Sequence, residues 1–103
     1  MKIGNTKYSE GGHVRLTNYE ADNSPAILIL DDNGQVQIKA TTLLNDDIAS
    51  EGCVFLKGWS ENEGVIQALV NAGVVELTGR KVRAGYSFAL EGRLLVNAKG
   101  EKI

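Results

Sequence analysis

The chain has 103 residues, of which 43% are hydrophobic, a length and composition that suit one globular domain with a modest core. Eleven basic and thirteen acidic residues give a formal net charge of −2. This balance argues against a strongly basic nucleic-acid binder and against a strongly acidic mimic of DNA.

Cys53 is the single cysteine, so no disulfide can form within the chain, and this suits a reducing compartment. The N-terminal residues lack the apolar run of a signal peptide. No window approaches the roughly 18 apolar residues of a membrane span. We therefore expect a cytoplasmic protein.

The first elements in chain order are a loose arm or edge segment over residues 1–12 and a short strand over residues 13–19, with Val14 and Leu16 on one face. A hairpin is predicted over residues 26–40, because an apolar run and an alternating run flank Asn33-Gly34, which supplies the positive φ values of tight turns. We expect the first run to be covered on both sides. The inward residues predicted for the second run are Val36, Ile38 and Ala40.

Residues 41–52 are predicted either as a loop or as a loop with one helical turn, and residues 53–59 as a strand with an apolar centre. Ser60 and Glu63 match the Ser-x-x-Glu capping box, which predicts a helix from about residue 61 to about residue 72. Gly73 fits the left-handed position after the helix. The apolar stripe of this helix consists of Val65, Ile66, Leu69 and Val70.

After the helix we expect a short strand over residues 74–77, a turn at Thr78-Gly79 and a polar ribbon over residues 80–83. Apolar residues and Gly92 alternate from Tyr86 to Val96, which predicts either one long strand bulged near Gly92 or two strands that turn at Glu91-Gly92. The opposite parity holds Ser87, Glu91 and Arg93. Residues 97–103 are predicted as a second loose arm.

The predicted fold class is α+β, with a mostly antiparallel sheet of four to six strands packed against one main helix at about residues 61–72. A single domain spans residues 1–103. One helix covers only part of such a sheet, so we also expect exposed apolar surface or a homodimer.

Catalytic and metal chemistry finds little support in the side chains. One histidine and one cysteine supply too few zinc ligands, and Asp31-Asp32-Asn33-Gly34 fails the EF-hand pattern because Ile29 falls at loop position 1. The single cysteine, Cys53, and the single histidine, His13, could in principle form a Cys-His catalytic pair, but a cysteine in an apolar strand is usually inert. Glu61 and Glu63 suit a helix start better than an acid–base pair. We expect no enzyme activity, cofactor or metal.

Two kinds of partner remain open. Arg80, Lys81, Arg83 and Arg93 form a basic ribbon, which predicts either nucleic-acid binding or a solvated rim of salt bridges to Glu61 and Glu63. Trp59 is the single tryptophan and is a candidate interface anchor if it is exposed. The preferred partner-binding surface is the helix start with the neighbouring ribbon, namely Lys57, Trp59, Glu61, Asn62, Arg80 and Arg83.

Residues 56–88, LKGWSENEGVIQALVNAGVVELTGRKVRAGYSF, resemble the core motif of a small uncharacterised domain family encoded on plasmids and phages. The opening hairpin over residues 18–44 is also similar to that family. Gly58-Trp59 departs from the acidic-Tyr pair of the pattern, and the last strand runs longer. The matching positions are Lys57, Trp59, Ser60, Glu61, Asn62, Glu63, Gly64, Ala72, Gly73, Thr78, Gly79, Arg80 and Gly85.

The resemblance implies a mobile-element accessory protein and supplies no activity. Small proteins of this kind often bind host defence machinery, as anti-CRISPR proteins do. We therefore expect a non-enzymatic protein that binds and inhibits or modulates a host protein, with nucleic-acid binding through the basic ribbon as the alternative.

Overall fold

A computed structural model describes residues 2–3, 12–21, 23–44, 48–59, 62, 64–97 and 101. These residues form two four-stranded antiparallel sheets and one short helix. The α+β class and the antiparallel pairing are confirmed. The single sheet of four to six strands is replaced by two sheets, and the helix is shorter than predicted.

The first sheet holds β1 (Lys2–Ile3), β2 (Gly12–Asn18), β3 (Pro25–Leu30) and β4 (Val36–Lys39), in that spatial order. Part of the predicted N-terminal arm is therefore an edge strand, since β1 pairs with the start of β2. The rest of that arm lies outside the described residues. Strand β3 is central, and its residues Ile27 and Ile29 are fully buried.

The hairpin between β3 and β4 is confirmed. One carboxylate oxygen of Asp31 accepts hydrogen bonds from the backbone amides of Asn33 (2.8 Å) and Gln35 (2.9 Å), and Gly34 has φ 82°. Such an Asx turn fixes the reversal that Asn-Gly predicts.

The inward orientation of Val36 is wrong, because its side chain is 51% exposed whereas Ile38 is buried. The pairing of Ile29 with Ile38 is followed by the pairing of Leu30 with Val36, so a bulge leaves Gln37 unopposed. One extra residue reverses the side-chain parity, and Val36 therefore shares the outer face of Leu30.

The second sheet holds β5 (Thr41–Thr42), β6 (Cys53–Leu56), β8 (Ser87–Leu94) and β7 (Val75–Ala84), in that spatial order. Of the two alternatives for the C-terminal alternation, one long strand is correct. The bulge lies in β7 rather than near Gly92: Leu77 pairs with Gly92 and Lys81 with Leu90, so three residues of β7 oppose Glu91 alone.

The predicted turn at Thr78-Gly79 is this bulge. Gly79 has the positive φ of 93° that a turn glycine would show, but the chain continues in the same strand. A glycine adopts this φ without the steric cost that a side chain imposes.

Helix α1 (Val65–Asn71) begins later than predicted, with Gly64 at the N-cap (φ 88°), and among the described residues no side chain makes a capping bond. Ser60 and Glu63, the predicted capping box, lie outside the described residues. The C-terminus agrees with the prediction: the amide of Gly73 donates to Val70 (3.1 Å) and the amide of Val74 donates to Leu69 (3.0 Å). These are the two bonds of a Schellman motif.

The core lies where α1 and β3 meet one face of the second sheet. Val65 and Leu69 of α1 join Ile27, Ile29 and Leu56 in one buried cluster. Gly92 permits this packing, since a Cβ there would lie 2.8 Å from Cδ1 of Leu56. Within the described ranges, no helix is long and apolar enough to cross a membrane.

Candidate functional site

The predicted partner-binding residues do not form one surface among the described contacts. Lys57 and Trp59 follow β6 and are both partly buried, and the Lys57 ammonium lies 5.9 Å from the centre of the Trp59 ring. Glu61 lies outside the described residues. Arg80 and Arg83 are on β7, the far edge of the second sheet.

Asn62 has a structural position, because its side chain is only 1% exposed. Its amide nitrogen donates to the carbonyl oxygens of Lys39 (2.8 Å) and Lys57 (3.0 Å), and its backbone amide donates to Trp59 (3.1 Å). Lys39 ends β4 and Lys57 follows β6, so this amide group joins the two sheets. The placement of Asn62 on the partner surface is therefore corrected: it supports the loop that presents Lys57 and Trp59.

Arg80 is held by a buried carboxylate. Its Nη1 donates to Oε2 of Glu91 (3.0 Å) and to the carbonyl of Ile48 (2.9 Å), and its guanidinium lies 5.3 Å from the Phe55 ring centre. Thr78 donates to Oε1 of Glu91 (2.8 Å), while the amide and hydroxyl of Ser50 donate to Oε2 (3.1 and 3.2 Å). We call Ser50, Thr78, Arg80 and Glu91 the Glu91 cluster.

Glu91 is 3% exposed, although its position in the sequence predicts an outward polar residue. Burial alone raises the pKa of this carboxyl, but the donors from Ser50, Thr78 and Arg80 outweigh it and lower the pKa below the ordinary glutamate value. The bulge makes this possible, because it turns both Thr78 and Arg80 toward one residue of β8. The Glu91 cluster connects the segment around Ser50 to the sheet through hydrogen bonds, and the Glu91 carboxylate is occupied by these donors.

The nucleophile pair considered from composition is not assembled. Cys53 is buried in β6, and burial, reinforced by Glu91 and opposed by Arg93, raises the pKa of its thiol. His13 belongs to the other sheet, where its Nε2 lies 3.0 Å from Asp32. In the part of the chain that the structure describes, no group of three or more His, Cys, Asp or Glu is placed to hold a metal.

A cleft of about 300 Å³ lies beside β6, between residues 42–44 and residues 48–53. Its wall includes Tyr19, Pro25, Leu43 and Phe55. The Tyr19 hydroxyl lies 2.8 Å from the Thr41 hydroxyl, so the one phenol of the wall is engaged within the fold. Its other polar lining residues are Ser24, Thr42, Ser50 and Glu51, and Ser50 is engaged with Glu91.

The far end of the β7–β8 hairpin is the most exposed aromatic surface described. Tyr86 is fully exposed at the turn, and Phe88 is 52% exposed. Phe88 pairs across the strands with Arg83, and the Lys81 ammonium lies 4.9 Å from its ring centre. We call Lys81, Arg83, Tyr86 and Phe88 the hairpin surface.

The basic ribbon predicted from the sequence is divided by these contacts. Arg80 is bound to Glu91, and Arg93 is bound to Glu76 (2.7 Å). Lys81 and Arg83 have no carboxylate partner among the residues described; Lys81 contacts Phe88, and Arg83 donates to the carbonyl of Gly85 (3.2 Å). Among the described residues, these are the two members of the ribbon that have no carboxylate partner.

The sequence contained a signal for the hairpin surface, since Tyr86 and Phe88 share parity with the core residues Leu94 and Val96. Strand β8 extends beyond the part of the sheet that α1 covers, and only the pairing register of β7 with β8 shows this.

Comparisons of the chain with protein-family models, with curated proteins and with solved structures find no match.

Proposed function

We propose that the chain is a non-enzymatic binding protein whose hairpin surface docks onto another protein. The observation that supports this is the apolar face of the second sheet, which continues past its covered part into solvent at Phe88. Aromatic residues and arginine are enriched at interface hot spots, and the hairpin surface combines both.

The parity of β8 shows that this is one continuous face. Gly92 packs under Leu56 and beside Val75 in the core, and Leu90 and Phe88 follow at intervals of two residues. Leu90 is partly buried and Phe88 is half exposed. A partner that covers Phe88 therefore extends an apolar layer that already exists.

The binding free energy gained by burying Phe88 and Tyr86 is too small to account for a stable complex by itself. Full burial of a Phe-sized side chain contributes about 1.5–3 kcal/mol, so covering the exposed half of Phe88 contributes on the order of 1–1.5 kcal/mol, and covering fully exposed Tyr86 contributes up to about 3 kcal/mol. A micromolar complex requires about 8 kcal/mol. Further contacts, which Lys81 and Arg83 are placed to make, must supply the difference.

The resemblance to a plasmid- and phage-encoded family supports a host protein as the target. We propose that the chain inhibits or modulates that protein in the cytoplasm, with a defence complex as the leading candidate in an anti-CRISPR-like role. Arg83 remains part of the proposed surface, whereas Arg80 and Asn62 serve the fold.

Nucleic-acid binding is the second candidate, because exposed aromatic rings beside cations also stack on single-stranded bases. Lys81 and Arg83, the cations of the hairpin surface without a carboxylate partner among the described residues, neutralise about two phosphates, whereas proteins with strong salt dependence make about six to ten phosphate contacts. The charge available therefore favours a protein partner.

The test is capture of a partner from bacterial lysate on the immobilised protein, with and without nuclease. A discrete protein that survives nuclease and moderate salt is the expected result. Capture that disappears with nuclease, or falls steeply with salt, would replace this proposal with the nucleic-acid alternative.

A further inference from the structure

The hairpin surface lies on an open edge of the second sheet. Strand β7 is outermost in the order β5-β6-β8-β7, so within the described residues one side of it has no neighbouring strand. An edge strand presents backbone N–H and C=O groups to solvent at every second residue. The bulge opposite Glu91 interrupts this edge, and beyond it residues 81–84 resume regular pairing with β8. We call residues 81–84 the β7 arm.

The two sides of the β7 arm differ in chemistry. Lys81 pairs with Leu90 and Arg83 pairs with Phe88, so both cations are exposed on the face that carries these two apolar residues. Val82 and Ala84 are half-buried on the opposite face, where they pair with Ala89 and Ser87. An added strand would therefore meet two cations on one face and two small apolar residues on the other.

We propose that the β7 arm binds an extended acidic segment of the partner protein as a fifth strand of the second sheet. Acidic residues at alternate positions of that segment lie beside Lys81 and Arg83, and small apolar residues between them lie beside Val82 and Ala84. This inference rests on the proposed function and specifies the chemistry of its partner.

Charge selects this occupant over a second copy of the chain. Two β7 arms paired with each other would bring Lys81 and Arg83 of both copies together on adjacent strands, and like charges across strands are unfavourable. The bulge at residues 78–80 prevents the longer pairing that could offset this repulsion. An acidic strand instead neutralises two cations that have no carboxylate partner among the described residues.

Strand addition also supplies the affinity that the aromatic rings lack. Main-chain hydrogen bonds to an edge strand provide much of the binding in this mode, and side-chain pockets at alternate positions provide the selectivity.

The test uses a fluorescent peptide of about eight residues with alternating glutamate and valine, measured by anisotropy against the whole protein. We expect saturable binding, and at least a tenfold loss when alternate backbone amides on the pairing edge are N-methylated. A lysine–valine peptide should not bind, because it repeats the charge of the arm.

The protein variants separate charge from strand pairing. The charge-reversal variant Lys81→Glu, Arg83→Glu should no longer bind the glutamate–valine peptide and should bind the lysine–valine peptide. The matched control is Arg15→Glu with Lys39→Glu, two exposed cations that flank Leu28 in the first sheet, and it should bind like the wild type.

Three results would overturn the proposal. Equal binding of the N-methylated peptide would show charge attraction without strand addition. If no acidic peptide binds, the proposed acidic segment of the partner is ruled out. Capture of a partner protein that depends on Phe88 would then still support the proposed function. A concentration-dependent dimer that competes with the acidic peptide for the arm would assign the arm to a second copy of the chain.

Discussion

Arg80 and Glu91 face each other across the β7 bulge, with Nη1 of the arginine 3.0 Å from Oε2 of the buried carboxylate. The bulge places three residues opposite one, so Thr78 and Arg80 both reach Glu91 while Gly79 takes the positive φ between them. Thr78, Gly79 and Arg80 belong to the motif behind the family resemblance. In this structure these three residues form the β7 bulge and its bonds to Glu91, which is a structural role in the sheet.

Replacing Glu91 by glutamine should destabilise the protein by about 2 kcal/mol, since charge-assisted hydrogen bonds contribute roughly 1.5–3 kcal/mol. The loss removes the counter-charge of Arg80 and weakens the bonds to Ser50 and Thr78. Urea denaturation measures it. Glu76→Gln is the control, because its pair with Arg93 is solvent-exposed and should contribute less than about 1 kcal/mol. Equal effects at both positions would contradict the role of burial.

The same cluster should make stability depend on acid pH. The folded-state pKa of Glu91 is lowered, so its ionised form stabilises the fold above the unfolded value of about 4.3, and this contribution is lost as the pH falls through the folded-state pKa. The difference in unfolding free energy between wild type and Glu91→Gln should therefore be constant near neutral pH and shrink below about pH 4. A difference that grows with acidification would show that the shift has the opposite sign.

Asn62→Ala should lower the free energy of unfolding by about 2 kcal/mol, because the side chain makes two buried hydrogen bonds worth about 1 kcal/mol each. Gln67→Ala is a suitable control, since exposed Gln67 has one side-chain hydrogen bond among the described residues, to Asn71, and the change should alter stability by less than about 0.5 kcal/mol. If Asn62→Ala abolished partner binding while leaving stability unchanged, Asn62 would return to the binding surface.

Cys53 should be unreactive in the folded protein. Burial, together with the charge of Glu91, raises the pKa of its thiol, and only the thiolate attacks a disulfide reagent. We expect labelling by a chromogenic disulfide at pH 8 to be slower by on the order of a hundredfold than in urea, where the thiol is solvated. Labelling at the same rate in both conditions would show an accessible thiol and reopen the nucleophile hypothesis.

Much of the fold is local enough to predict from the sequence. Asn33-Gly34 marks the first hairpin, the stripe from Val65 to Val70 marks the helix, and Gly73 marks its end. Each of these features depends on a few adjacent residues whose backbone preferences agree. The number of sheets depends instead on contacts between distant segments, and periodicity contains no information about them.

The two bulges account for the errors at Val36, Thr78-Gly79 and Glu91. A bulge adds residues to one strand only, so it changes which side chains are opposed without changing the apolar pattern of either strand. This is why Val36 faces outward, and why Thr78-Gly79 was predicted as a turn. Buried Glu91 was missed for the same reason, since its donors on β7 converge only because of the bulge.

The sequence indicates part of the proposed surface and leaves out the rest. Arg83 and Lys81 were identified as basic residues, but the sequence does not show that Arg80 and Arg93 are neutralised by Glu91 and Glu76. The motif led to Asn62, whose short amide suits a buried bond between sheets as well as it suits a surface contact. Exposure distinguishes these roles, and exposure depends on the tertiary fold.

The central claim is that Phe88 belongs to a protein-binding surface. The most direct measurement compares capture of the nuclease-resistant partner by the wild type, by Phe88→Ser and by Val36→Ser, whose side chain is exposed to the same degree in the other sheet. Trp59→Ala tests the surface predicted at the helix start. Melting temperatures confirm that each variant is folded.

The account predicts that Phe88→Ser loses the partner while Val36→Ser and Trp59→Ala retain it. Retention by Phe88→Ser together with loss by Trp59→Ala would contradict the account and return the binding site to Lys57 and Trp59.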